Sequence, residues 1–333
     1  MGRVGDAKEI EGRVTNDRPA AGIGPAGPSV AGPQAPRPDD HSPMALPTLL
    51  LGCLLVGASS TFIKLSGTTA DTAAFFRCAL ALLVFAPIAV LEWRRYGRPH
   101  RRMVLFGLGS GVLLGADYLM WTQSILDAGA AVATVLIGIQ VVVFPMLSRI
   151  FLGEQIQRRF LIALPVMIIG LGLTGGILDV DPNAPHPVRG AALGIAAGIC
   201  YAGYLFAIRP ASRPDRRMVV TPIAFGTASA AAVIGVVGGI GHGIDLHLDA
   251  HAWFWLIMVA ICGQALSFVM IGYGSVRLAA GRAAAAMLLQ PMAAIVLGTI
   301  VLDEHPAPSQ YVGMAVTVAA VAMATIRGRI RTP

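Results

Sequence analysis

Ten apolar stretches, each about twenty residues long, run from Pro43 to Ile326, and no feature of the chain constrains its fold more. A hydrocarbon core about 30 Å thick needs roughly twenty helical residues to cross it. Eight windows meet that need without any Asp, Glu, Lys or Arg: 43–63, 128–148, 160–178, 190–208, 218–241, 252–276, 283–302 and 306–326. Two more carry one charge each, Arg77 within 72–91 and Asp117 within 103–126. A soluble core helix is shorter and keeps a polar face, whereas these windows are apolar all round. The chain therefore reads as an all-α membrane protein with ten transmembrane helices.

The arginines between the windows set the expected orientation. Seventeen lie in every second gap (92–102, 149–159, 209–217 and 277–282) and in the segment after Ile326; the other five gaps hold only Arg189. Positively charged loops stay on the cytoplasmic side, which predicts a multi-pass protein of the cell membrane with both termini inside. The same pattern absorbs most of the basic pI of about 9.7, so no nucleic-acid partner is expected.

Residues 1–42 are rich in Pro, Gly and Ala, with few large apolar side chains, and read as a disordered cytoplasmic tail rather than a signal peptide. Gly22, Gly24 and Gly27 match a dinucleotide-binding spacing. Pro25 interrupts it, and neither a strand nor a helix flanks it. The loops are short, and no phosphate-binding loop, zinc-protease motif or nucleophile elbow occurs, so no ATP-driven module and no enzyme is expected. Nothing calls for a cofactor. Cys53, Cys78, Cys200 and Cys262 fall inside windows without paired spacing and read as packing residues. His242, Asp245, His247, Asp249 and His251 crowd one outer loop, but their spacing fits no compact metal motif.

Shifting the chain by 150 residues lays Gln140 on Gln290 and Glu154 on Glu304, together with three apolar matches around them. Polar residues are scarce in these windows, so the amide and carboxylate matches carry the weight. They fall on the fourth span of each of two five-span halves, 43–178 and 189–326, joined by an outer linker at 179–188 and followed by a cytoplasmic tail at 327–333. Five spans per half turn the second half upside down. Such inverted repeats are a recurrent design of secondary transporters, in which one half rocks against the other around a midplane site.

Lys64 ends the first span, Phe76-Arg77 opens the second, Leu152-Gly153-Glu154 closes the fourth and Leu302-Asp303-Glu304 closes the ninth. With Gly115-Ala116-Asp117 through Trp121 and Gly129-Ala130-Ala131 through Gln140-Val141, this order resembles EamA-type members of the drug/metabolite transporter superfamily over residues 44–326. The resemblance implies transport of a small metabolite, amino acid or drug and names no substrate.

The expected function is alternating-access transport of a small solute in a lipid bilayer, with export as the expected direction and protons as a candidate coupling ion. An uncoupled facilitator, or a signalling or scaffold membrane protein, is the alternative, and a homo-oligomer remains compatible. Arg77 and Asp117 lie at similar depth in the outer half, where a lone charge costs several kcal/mol, so they are expected to pair or to face a wet cavity. Gln140 and Gln290 fall near the midplane at equivalent positions of the repeat. Tyr118, Trp121, Tyr204 and Gln264 complete the substrate-path candidates, and Lys64 is expected to snorkel to the interface. Small-residue strips at Gly107, Gly111 and Gly115 and at Gly190, Gly194 and Gly198 predict close helix packing, and Pro145 and Pro291 predict kinks.

Overall fold

The computed structural model describes residues 43–128, 130–175, 186–212, 215, 217–241, 243–303 and 305–325. Both tails, most of the linker, Gly129, His242 and Glu304 lie outside the described residues. All regular structure among those described is helical: α1 (Ala45–Ser66), α2 (Ala70–Tyr96), α3 (Arg101–Ala128), α4 (Ala130–Ile137), α5 (Gln140–Leu152), α6 (Arg158–Thr174), α7 (Pro187–Ser212), α8 (Val220–Ile240) and α9 (Ala250–Met258) come first. A π-helical segment (Val259–Leu266), α10 (Ser267–Arg277), α11 (Ala280–Met287), α12 (Leu289–Val301) and α13 (Pro308–Thr325) follow. These make ten transmembrane helices, because α4 with α5, α9 through α10, and α11 with α12 each run as one span.

The breaks between spans follow from local chemistry. Gly67, Gly97 and Gly153 take positive φ at the ends of α1, α2 and α5, a conformation that costs a residue with a Cβ. Thr69 and Asp249 accept backbone N–H groups at the starts of α2 and α9. Glu92, near the end of α2, reaches across to α8, where its carboxylate accepts the N–H groups of Val219, Val220 and Thr221 at 2.8–3.0 Å. A carboxylate at a helix N-terminus satisfies donors that have no intrahelical partner.

The packing repeats with the sequence. α1 lies against α9 through α12, and its counterpart α7 lies against α3, α4 and α5. α2 meets its counterpart α8, α6 meets α13, and α5 meets α11. Exchanging the halves leaves this pattern unchanged, as two inverted five-helix repeats require. Leu83, Leu105, Ile162, Ile169 and Ile240 stand exposed on the outside, an apolar surface suited to lipid rather than water.

Both glycine strips serve packing. A Cβ on Gly107, Gly111 or Gly115 would run into Phe225, the Gly226 carbonyl or Val233 of α8. One on Gly190, Gly194 or Gly198 would strike Ala128, Ser124 or Ile139. Spans four and nine are each interrupted once. Span nine breaks at Leu288, within reach of Pro291, but span four breaks at Gly138 and Ile139, while Pro145 sits two turns later inside α5. The break at Gly138 is made by tightened i→i+3 hydrogen bonds, Gly138 N–H to the Val135 carbonyl and Ile139 N–H to that of Leu136, both 3.1 Å.

Candidate functional site

A cavity of about 350 Å³ opens between the halves. Its lining stops at Met287, Leu288 and Gln140 toward the arginine-rich end and reaches Lys64, Thr174, Gly175, Leu302 and Gln310 at the other end. Six of the eight residues singled out in the sequence line it: Arg77, Asp117, Tyr118, Trp121, Gln140 and Gln290. Gln264 and Tyr204 do not. Gln264 lies directly behind the wall. Tyr204 is buried in the core, stacked on Tyr201 at 6.1 Å and tilted against Phe268.

Arg77 is the most heavily built of these side chains. Its Nε donates to Gln264 Oε1 at 2.9 Å and its Nη2 to the Gly263 carbonyl at 2.6 Å. Tyr118 donates its hydroxyl to the same Gln264 oxygen at 3.0 Å. The guanidinium lies over the rings of Tyr118 and Phe268, 5.0 and 5.6 Å from their centroids. Gly263 and Gln264 belong to the π-helical segment, a wider winding frequently found at functional sites. The expected alternative of a direct pair is not realised: among the described residues no ion pair joins Arg77 to Asp117. Asp117 is 3% exposed and its Oδ1 has no hydrogen-bond partner.

The two midplane glutamines sit just past the two helix breaks. Gln140 is the first residue of α5 and Gln290 the second of α12, so the repeat places one amide beside each discontinuity. Gln140 Oε1 and Trp121 Nε1 have no partner, whereas the Gln290 side chain meets the Cys53 sulfur at 3.9 Å and the Tyr201 hydroxyl. Lys64 is exposed and lines the mouth of the cavity. The sequence reading passed over Phe268, although it lies four residues after Gln264 and so on the same helix face. It also passed over Ser59, Ser60 and Thr61, whose hydroxyl-bearing run in α1 contributes to the wall.

The model of the EamA-like transporter family matches residues 43–176 and 188–326. The chain belongs to the EamA-like transporter family. That family lies within the drug/metabolite transporter superfamily, and its two matched segments coincide with the two halves of the fold. A relative from Archaeoglobus fulgidus, named "Uncharacterized transporter", is 27% identical over 280 residues, covering 83% of this chain and 94% of its own length. A solved crystal structure superposes with a TM-score of 0.70 over 85% of this chain and 96% of its own, at 16% identity, and shows the shared fold alone.

In this EamA-family chain one buried side chain ties several helices together at the arginine-rich end. Arg209, near the end of α7, donates Nη1 to Glu154 and Nη2 to the carbonyls of Ser275 and Leu278 at 2.6 and 2.7 Å. Its guanidinium lies 4.9 Å from the Phe144 ring centroid. Glu154 also accepts the Ala280 N–H at 3.3 Å. These contacts join α5, α7, α10 and α11. At the other end Arg189 forms a two-pronged pair with Asp127, both contacts 2.6 Å, and draws that carboxyl down to about 2. This pairing accounts for the one arginine found in the arginine-poor gaps.

Among the described residues no cluster of metal-ligand types forms. Asp245, His247, Asp249 and His251 have local contacts. Asp245 accepts the His247 N–H, Asp249 caps α9 and His251 accepts the Trp255 indole N–H.

Proposed function

We propose that this EamA-family membrane transporter is a secondary transporter that moves a small solute by alternating access. The observation that carries the reading is the cavity itself, lodged between inverted halves beside two broken helices, each with a glutamine at the break. Discontinuous helices at a repeat interface are where such transporters hold solute. In this reading the arginine-rich end faces the cytoplasm and is closed by Arg209, while the cavity opens outward through the mouth at Lys64 and Gln310. Rocking of the halves would release Arg209 and expose the same wall to the cytoplasm. Export is the direction we assign, with Asp117 as the group that carries a coupling proton.

The decisive experiment is counterflow of labelled metabolites and drugs in proteoliposomes. Accumulation against pooled unlabelled solute is expected. Its absence across the pool, with correctly inserted protein, would leave a scaffold or signalling role. A proton ionophore then separates the coupled form from an uncoupled facilitator: net uptake driven by a pH gradient collapses in the first and is unchanged in the second.

A further inference from the structure

The turn from α2 into α3 carries positive charge that the surrounding fold does not answer. Arg94, Arg95, Arg98, Arg101 and Arg102 all stand exposed there, and among the described residues no carboxylate pairs with any of them. Glu92, close by in the chain, is engaged elsewhere, accepting the N–H groups of Val219, Val220 and Thr221 on α8. Asp215 accepts the Arg217 N–H. Insertion asks only for a bias of charge between the two sides of the membrane. It does not ask for five guanidiniums around one short connection.

Beside that connection the helices leave a groove. α2 and α3 follow one another in the chain yet touch little, because each packs on α8 instead. On α8, Thr221 and Gly235 meet Trp93 and Phe75 of α2, while Phe225 and Gly226 meet Gly107 and Gly111 of α3. At about 3.6 residues per turn, Ala232 and Val236 fall between those two faces, and both are exposed. α8 is therefore the floor of a groove walled by α2 and α3. Leu83 and Val90 on α2 and Leu108 and Val112 on α3 stand exposed beside it. No residue of α8 lines the cavity, so the groove is a separate feature on the lipid-facing surface.

The occupants can be sorted by these two halves. A small soluble anion would answer the arginines and leave the apolar groove empty. A zwitterionic lipid would fill the groove and bring no net charge to the arginines. A lipid with a net negative headgroup answers both at once, since basic clusters at helix ends attract anionic headgroups and apolar surface attracts acyl chains.

We propose that the groove between α2 and α3 is a binding site for one anionic phospholipid of the leaflet bordering the arginine-rich end. Its phosphate sits on Arg98, Arg101 and Arg102, and an acyl chain lies over Ala232. The site is independent of which solute the cavity carries.

The test titrates the detergent-purified full chain with phosphatidylglycerol, phosphatidylcholine or inorganic phosphate, reading bound lipid by native mass spectrometry and stability by thermal unfolding. In the wild type, phosphatidylglycerol is expected to bind about tenfold or more tighter than phosphatidylcholine and to raise the melting temperature, with no effect of phosphate. One basic side chain near an anionic headgroup is worth about fivefold in affinity. Arg98→Gln/Arg102→Gln should therefore lose the preference, whereas Arg149→Gln/Arg158→Gln, which removes two exposed arginines from α5 and α6, should keep it. Ala232→Phe, which fills the groove and leaves every charge in place, should weaken binding of both lipids.

Equal binding of the two lipids by the wild type, or an equal loss in the Arg149/Arg158 variant, would overturn the inference. So would stabilisation by inorganic phosphate that matches that by phosphatidylglycerol, which would mark a site for small anions. Unchanged lipid binding in Ala232→Phe would overturn it too, because the chains would then lie outside the groove.

Discussion

Gln264 shows how much one neutral side chain can organise. Its oxygen accepts from both Arg77 and Tyr118, and its nitrogen approaches Thr227 Oγ1 at 3.4 Å. Replacing it by Leu strips a buried cation of an acceptor, which costs about 1–3 kcal/mol. We expect Gln264→Leu to melt at lower temperature and to bind solute more weakly. Gln264→Glu should keep the fold yet lose affinity for anionic groups, because its carboxylate cancels Arg77; equal affinity in Glu and wild type would show that Arg77 does not meet the solute. Asp127 offers a second residue-scale test. Hydrogen bonds from Arg189 lower its pKa from 3.8 to about 2, with Gln123 and the charge of His186 acting in the same direction. A depressed carboxylate pKa stabilises the fold above pH 3.8, and that contribution is lost as pH falls toward 2. Asp127→Asn should therefore melt at lower temperature near neutral pH and show a shallower further loss between pH 4 and pH 2, as followed by fluorescence-detected unfolding. The depth of Arg77 and Asp117 along their helices was legible in the sequence. Their partners were not, because depth along a helix leaves its azimuth undefined and Gln264 lies 187 residues from Arg77 in the chain.

At the scale of elements, α3 shows how a helix face is chosen by the room around it. Gly111 faces the backbone of α8, where the Gly226 carbonyl leaves no space for a Cβ, whereas a Cβ on Gly109 meets nothing within 4 Å. Gly111→Ala should push α3 off α8 and lower stability by about 1–3 kcal/mol. Gly109→Ala should be neutral or raise stability by about 0.5–1 kcal/mol through helix propensity. Melting temperatures of the two variants in one detergent compare them directly, and equal losses would mean that α3 and α8 are not packed this closely. Sequence spacing identified this strip because small residues at every fourth position have few other uses in a membrane helix. It gave no sign of the break in span four for an equally physical reason. The break falls at Gly138, where the side chain of Leu171, from another helix, leaves no room for a Cβ. The π-helical turn at Val259–Leu266 gave no sequence signal at all, and its Gly263 carbonyl meets Arg77 of another helix, a contact that local spacing does not encode.

Across the whole molecule, the inverted repeat was readable from two amides and two carboxylates, while the seal was not. Arg209 counted in the sequence as one loop arginine among many. In the structure it is 4% exposed and gathers Glu154, Ser275 and Leu278 from different parts of the chain. Arg209→Gln should loosen the arginine-rich end. A cysteine placed at Met287, on the cavity floor, in a chain cleared of its native cysteines, is then expected to react with a membrane-impermeant thiol reagent from that side. Protection equal to that in the Arg209 background would show that the seal lies elsewhere. A lysine at the same place separates two tasks that the arginines share. Orientation during insertion asks only for charge, which lysine supplies as well. Holding two carbonyls and a carboxylate at once asks for a rigid planar fork, which an ammonium on a flexible stem does not have. Exchange of arginine for lysine is therefore cheap at Arg94 and Arg95, exposed in the last turn of α2, and costly at Arg209, so one amino acid acts as an address label at one helix end and as a door bolt at another.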